Sequence, residues 1–424
     1  MTVKPRILLS AYQCAPRTEA VSQIGWQWYF RLAQLLPVTL VTHVRNYPYL
    51  MQAGAPLAHS EIIFIDTEWF AKPLYNWSRK LFPQSETATF LLASLDFFVY
   101  DWLLVRQLKQ RQRAGAKWDI IHMVTPVSPV VATRLHTLQC PIILGPRNGG
   151  LKNPPDFPEI MKEDSSWIYP LRNFGYLIDC LIGSSRNATV ILTATQATLE
   201  SILPRYRSRC RHLLENGVDL NLFSPAPWPP FPSLTQPLRM VFIGRLVPFK
   251  GVPLLLEAIA GLKDKLPLLL TIIGEGPLKE KWQTQTNQLH LNEIVTWYGI
   301  ASRTQVVAQI QAAHVLCLPS VRESGGAVLL EAMACARPVI AIAFGGPAEL
   351  VDDTVGCAIP PHGGAPAVIA ALTANLHDIF EHPQVWQQRG EMGRHRAEQL
   401  YSWENKIEQA LALYEELLNN VDRK

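Results

Sequence analysis

Two doubly wound α/β domains, each built on a parallel sheet, are the architecture this sequence predicts, and three observations predict it. At 424 residues the chain exceeds the size at which one hydrophobic core keeps growing, so two domains of roughly 200 residues each are expected. Short apolar runs bounded by turn residues alternate with helical patterns along almost the whole length, the pattern of βαβ units. Near the middle, FSPAPWPPFPSLTQP (223–237) holds six prolines, which forbid a regular element and favour a stiff, extended connection.

In the first half, strands are expected at RILLSAY (6–12), VTLVTH (38–43), EIIFID (61–66), DIIHMV (119–124), CPIILGP (140–146) and VILTA (190–194). The second half repeats the rhythm at RMVFIG (239–244), LLLTIIG (268–274), VTWYG (295–299), HVLCLPS (314–320) and RPVIAIA (337–343). The expected division is a first domain over 1–215, a proline-rich linker over 216–238, a second domain over 239–395 and a last segment over 396–424. That last segment contains YSWENKIEQALALYEELL, with aromatic and leucine positions at helical spacing. In open α/β sheets ligands sit beyond the carboxyl ends of the strands, so two facing sheets would enclose a cleft there.

Composition narrows the function classes. A net charge of +4 fits an anionic substrate or surface and is far too weak to argue for nucleic acid. The seven cysteines are scattered singly, with no C-x-x-C and an odd total, so neither a disulfide framework nor a zinc site is expected. The N-terminal apolar run reads as a first strand rather than a signal peptide, and no apolar stretch approaches the roughly 20 residues that span a bilayer. A cytoplasmic protein follows, with peripheral attachment to the cytoplasmic membrane face left open.

Four loops of the second half follow the carboxyl ends of expected strands and border one site. In GRLVPFKG, Arg245 and Lys250 supply two cations able to neutralise a pyrophosphate without a metal. IIGEGP contributes a tight glycine turn at Gly274 and Glu275, with proline opening a helix. After Gly299, the backbone at Ile300 is placed to meet a planar base edge. The fourth loop, VRESGGAVLLEAMACARPVI (321–340), sets Glu323 in a loop and Glu331 inside the helix that follows. A helix N-terminus has unpaired N–H groups and a positive dipole end, so the amides of Ser324, Gly325, Gly326 and Ala327 suit a phosphate. Carboxylates accept paired hydrogen bonds from vicinal diols, so two acids straddling a phosphate cradle point to a nucleoside diphosphate sugar. There is no D-x-D motif to hold a divalent metal, and no cofactor is expected beyond the nucleotide-sugar co-substrate.

The combination of ENGVDLNLFSP (215–225), GRLVPFKG, IIGEGP and the E-x7-E spacing of the fourth loop resembles glycosyltransferase family 4, the group 1 glycosyltransferases. The resemblance covers 215–357 strongly. It implies a retaining enzyme with two Rossmann-like domains, the glycosyltransferase B fold, and a C-terminal helix crossing back to the first domain. Carried over by position, it implies that Glu323 holds the donor hexose, Glu331 the ribose, and Arg245 and Lys250 the pyrophosphate. In the first half, SAYQCAPRTEAVSQIGWQW (10–28) is similar to a branch of the family whose first loop is glycine-rich, of which Gly25 and Trp26 remain. IIHMVTPVSP (120–129) carries one histidine, His122, where many relatives show H-x-H; the resemblance implies that it orients the donor sugar, and a buried strand-end histidine is the competing reading. In GPRNGG (145–150), Arg147 or Asn148 is placed to face the acceptor.

The acceptor side rests on the stretch 69–113, rich in Trp, Tyr and Phe and interleaved with Lys and Arg. Leu91, Leu95, Phe98, Trp102 and Val105 share one helical stripe, and Ser94 and Asp101 another. Such a segment either lies in an anionic membrane interface and receives a lipid or lipid-linked glycan acceptor, or packs on the domain core. The leading expectation is a hexosyltransferase acting on a lipid acceptor; the alternatives are a transferase with a soluble acceptor and a catalytically silent sugar-nucleotide-binding protein.

Overall fold

The computed structural model describes residues 4–16, 20–81, 95–163 and 173–421. Thirteen strands among these residues form two parallel sheets. The first sheet comprises β1 (Ile7–Ala11), β2 (Val38–His43), β3 (Ser60–Ile65), β4 (Ile120–Thr125), β5 (Ile142–Arg147), β6 (Val190–Thr193) and β7 (Cys210–His212), in the order β3-β2-β1-β4-β5-β6-β7. The second comprises β8 (Leu238–Ile243), β9 (Leu268–Ile273), β10 (Val295–Gly299), β11 (Val315–Leu318), β12 (Val339–Ile342) and β13 (Gly356–Ile359), in the order β10-β9-β8-β11-β12-β13. Both orders run outward from the first strand in two directions, which is double winding, and each sheet has a switch point beside its first strand.

The central strands read as continuous apolar runs because helices cover both faces. Every residue of β1, β4, β5, β11 and β12 is buried. All eleven expected strands form, and VTLVTH and VTWYG form with the expected ends. Two strands were not expected, β7 and β13. They are three and four residues long, lie at sheet edges, and carry no apolar alternation long enough to read.

The chain divides into two compact units that do not follow chain order: Met1–Gly150, Trp167–Glu215 and Lys406–Lys424 form one, Leu151–Ser166 and Asn216–Asn405 the other. A described stretch from the first half, 151–163, therefore belongs with the second sheet. The proline-rich stretch 216–238 is likewise fastened to the second unit rather than free. The buried guanidinium of Arg337 donates to Ala226 O (3.0 Å) and Pro227 O (2.9 Å), and His314 Nε2 bonds Pro230 O (3.0 Å). The last helix, Trp403–Val421, changes unit at Lys406.

The aromatic stretch forms two helices, Glu68–Leu81 and Asp96–Arg113; Phe82, Phe90, Leu91 and Ser94 lie outside the described residues. The side of the second helix that enters the core carries Phe97, Tyr100, Leu104 and Leu108, with Val105 beside them. Of the expected stripe's described residues, Val105 is buried, Phe98 is half-buried, and Leu95 and Trp102 are exposed. Asp101 is buried and salt-bridged to Arg134 (3.0 Å). No helix among the described residues is long and apolar enough to cross a membrane.

Candidate donor site

Four loops at the carboxyl ends of β8, β9, β10 and β11 are laced to one another. Leu246 N donates to Glu275 O (2.9 Å), joining the first loop to the second, and Gly274 N donates to Gly299 O (2.9 Å), joining the second to the third. Val321 N donates to Phe249 O (2.8 Å), joining the fourth to the first. Glycine makes this approach possible. A Cβ on Gly274, at φ +146°, would stand 1.9 Å from Gly244 O, and one on Gly251, at φ +65°, would stand 2.0 Å from Pro319 O. The glycines that flank the cations are there so that two backbones can touch.

Lys250 closes a single turn, Pro248–Lys250, and its Nζ donates to Glu323 Oε2; both side chains are largely covered. The expected phosphate cation and the expected sugar carboxylate are therefore direct neighbours. Arg245 sits exposed at the head of the same loop. Glu323 O accepts from Gly346 N (3.0 Å), and Glu323 pairs with Gly345 in an isolated parallel bridge, so the loop after β12 holds the loop after β11. Ser324 is half-buried and Gly325 buried, and Gly326, at φ +68°, starts the helix Ala327–Ala334, whose leucine, alanine and methionine are strong helix formers. Glu331, one helical turn inside it, is 19% exposed and lies 3.5 Å from Arg303. Burial pushes its carboxyl up to about 7, against the opposing pull of Arg303. Glu275 pairs instead with Lys279 (2.5 Å), and Ile300 stands 79% exposed beyond β10.

Arg303 was not read from the sequence. It opens the helix Arg303–Ala312, whose start is marked by a capping box between Ser302 and Gln305, so its place near a strand end was legible but its reach to Glu331 was not.

The expected residues of the first half have other work. His122 has no exposed surface; Nδ1 bonds the Tyr414 hydroxyl (2.6 Å) and Nε2 bonds Gly145 O (2.7 Å). Burial lowers its pKa to about 4, so it is a neutral core histidine, and this corrects the expectation that it orients a sugar. Gly25 is buried in the helix Ala20–Leu35, where a Cβ would stand 2.1 Å from Gln13 O, so its missing side chain lets that helix touch the loop after β1. Asn148 donates through Nδ2 to Glu215 Oε1, and Arg147 is buried, donating to Pro129 O (3.0 Å) and Val131 O (3.1 Å), which removes Arg147 from an acceptor role.

Comparison with known proteins agrees with this layout. The family described as "Glycosyl transferases group 1" matches residues 230–392. The MMP alpha-(1->4)-mannosyltransferase of Mycolicibacterium hassiacum is 27% identical over 60% of this chain and 61% of its own length, so the match spans about three fifths of that curated relative. Among solved structures, sucrose-phosphate synthase from Thermosynechococcus elongatus superposes with a TM-score of 0.65 at 19% identity, covering 98% of this chain and 100% of that one. Anabaena HepE in complex with UDP and glucose gives 0.64 at 15% identity, covering 97% and 100%. Two parallel-sheet Rossmann-like units thus form the glycosyltransferase B fold, and residues 230–392, on the second of them, are similar to the group 1 glycosyltransferases.

Proposed function

We propose that this chain is a retaining transferase that moves a hexose from a nucleoside diphosphate sugar, with UDP the favoured nucleotide, to a hydroxyl of a lipid or lipid-linked glycan acceptor at a membrane surface. The observation that carries the reading is the Lys250–Glu323 pair, set between an exposed Arg245 and the helix that bears Glu331. On donor binding the ammonium passes from carboxylate to phosphate, and Glu323 accepts hydrogen bonds from hexose hydroxyls instead. Glu331 accepts from the ribose diol. The structure of HepE with UDP and glucose supports such a ligand on this fold.

Chemistry then follows from charge. The bond between the anomeric carbon and the phosphate oxygen breaks, the acceptor oxygen bonds to that carbon on the same face, and the acceptor proton passes to the departing diphosphate. Negative charge grows on the diphosphate, where Arg245, Lys250 and the amides of 324–327 stand already oriented, so little reorganisation is needed. In this reading those cations act in place of a divalent metal.

For the acceptor, support comes from the first unit. Helix Glu68–Leu81 exposes Trp69 (66%), Tyr75, Trp77 (55%) and Leu81 alongside Lys72, Arg79 and Lys80, and the adjoining helix Asp96–Arg113 exposes Trp102 (51%) with Arg106 stacked over its ring. Aromatic rings beside cations suit the headgroup layer of an anionic membrane. The deciding experiment is a matrix of nucleotide sugars against a total lipid extract, with the product identified by mass. A hexosylated lipid is the expected product; nucleotide release that tracks only water-soluble acceptors would move the acceptor assignment to a soluble compound.

A further inference from the structure

The chain leaves the first sheet at β5 and, before the helix Asn173–Ile182, passes through 151–163, which groups with the second unit. This segment touches the loops after four strands of the second sheet. After β8, its helix Pro158–Glu163 packs on the turn Pro248–Lys250 that carries the phosphate cation. After β11, Arg322 Nη2 donates to Leu151 O (3.3 Å). After β12, a Cβ on Gly345 would stand 3.0 Å from both terminal carbons of Leu151 and 2.1 Å from Glu323 O, so the missing side chain makes room for both. After β13, Gly364, at φ +65°, passes Asp156 O at a distance that would leave a Cβ only 2.9 Å away, and His362 Nδ1 lies 3.8 Å from Asp156 Oδ2. Lys281 Nζ anchors the far end on Glu163 (2.7 Å), while Leu151, Phe157 and Met161 are buried.

Leu151 thus lies beside the bridge between Glu323 and Gly345, its carbonyl held by the Arg322 side chain and its own side chain set against Gly345. Lys152 and Asn153 follow it directly and are exposed. We propose that 151–163 is a wall of the donor site that decides which hexose is accepted. Leu151 and Arg322 are positioning residues that hold the Glu323 loop, and Lys152 and Asn153 meet hydroxyls of the hexose. This rests on the nucleotide-sugar reading of the preceding section and adds a determinant of the sugar that the second-half motifs do not contain.

Calorimetry on the full chain separates the parts of the ligand, using UDP alone and the tightest-binding member of a panel of UDP- and GDP-hexoses. Lys152→Ala and Asn153→Ala, both surface changes that remove about one hydrogen bond each, and Leu151→Ala, which loosens the packing behind the Glu323 loop, should leave UDP affinity within twofold and weaken the nucleotide hexose by about tenfold. The spread of affinities across the hexose panel should narrow in the same variants. Amide exchange over 151–163 should slow with the nucleotide hexose beyond any slowing by UDP. Equal weakening of UDP and nucleotide hexose, or no change in either, would overturn the proposal. A wild-type chain that binds UDP but gains nothing from any hexose would also overturn it; one that binds neither would overturn the donor reading beneath it.

Discussion

The carboxyl ends of the two sheets carry similar inventories of charge and use them in opposite ways. In the first unit the polar groups hold one another. Tyr12 donates to Asp96 (2.5 Å), Arg45 donates to Asp96 (3.1 Å) and to Glu68 (3.0 Å), and His43 Nε2 bonds Thr67 (2.8 Å). Burial brings His43, like His122, down to about 4. In the second unit the contacts that hold the loops to one another are backbone to backbone, and the charged side chains pair locally at the strand ends, Lys250 with Glu323 and Glu331 with Arg303. A polar residue at a strand end is therefore weak evidence of function. A loop laced to its neighbours through its backbone is stronger evidence, because the scaffold does not rest on the charged side chains that the loop carries.

Breaking the contrast should show first at Lys250. Lys250→Ala removes a fixed cation from the developing diphosphate charge, and turnover should fall by about 10²–10³-fold with a smaller change in donor affinity. Steady-state kinetics against donor concentration check this, and wild-type turnover would remove Lys250 from the chemistry.

Next comes Glu331. Glu331→Ala should weaken donor binding by about 10–100-fold, the loss of hydrogen bonds to a charged group, with turnover at saturation nearly kept. Its pH behaviour sharpens the test. With a folded pKa near 7 against an ordinary 4.5, the folded chain holds a proton that the unfolded chain has lost, so this group lowers stability as pH rises from 4.5 to 7. Donor affinity should run the other way, rising through about 7 as the carboxylate forms, and Glu331→Gln should flatten that rise; an unchanged profile would count against the ribose contact.

His122→Phe makes the opposite prediction for the first unit. It strands the Tyr414 hydroxyl and Gly145 O and should cost about 1–3 kcal/mol in stability while leaving UDP affinity unchanged. A folded pKa near 4 against 6.5 means that the unfolded chain binds the extra proton, so stability falls as pH drops from 6.5 to 4, and the variant should lose part of that slope. Denaturant titrations at several pH values measure it; a loss of donor binding at full stability would restore His122 to the site.

The smallest effect concerns the aromatic surface. Replacing Trp69 and Trp77 by Ser should reduce flotation with anionic liposomes at low salt and leave fold and UDP affinity intact, since both rings are mostly exposed. Wild-type protein that stays at the bottom of the gradient would leave these rings without a membrane role.

Much of this was legible in the residues because local rules carried it. Parallel strands buried on both faces announce themselves as apolar runs, and glycines recur where φ is positive or backbones meet, as at Gly251, Gly274, Gly326 and Gly345. The E-x7-E spacing put Glu323 before a helix start and Glu331 inside the helix without reference to the rest of the chain. Which side of helix Asp96–Arg113 meets the core was not legible, since the stripe of Leu95, Phe98 and Trp102 is as apolar in sequence as the one that is buried.

By itself, then, the sequence determined two doubly wound parallel sheets, the loops that border the second, and the residue types those loops present, because each follows from periodicity and backbone conformation over a few residues. Only the tertiary structure decided that Lys250 faces Glu323, that His122 is enclosed by Tyr414 almost three hundred positions later, and that 151–163 lies with the second sheet rather than the first. Those are contacts between segments far apart in the chain, and their energies depend on packing and desolvation that no local pattern encodes.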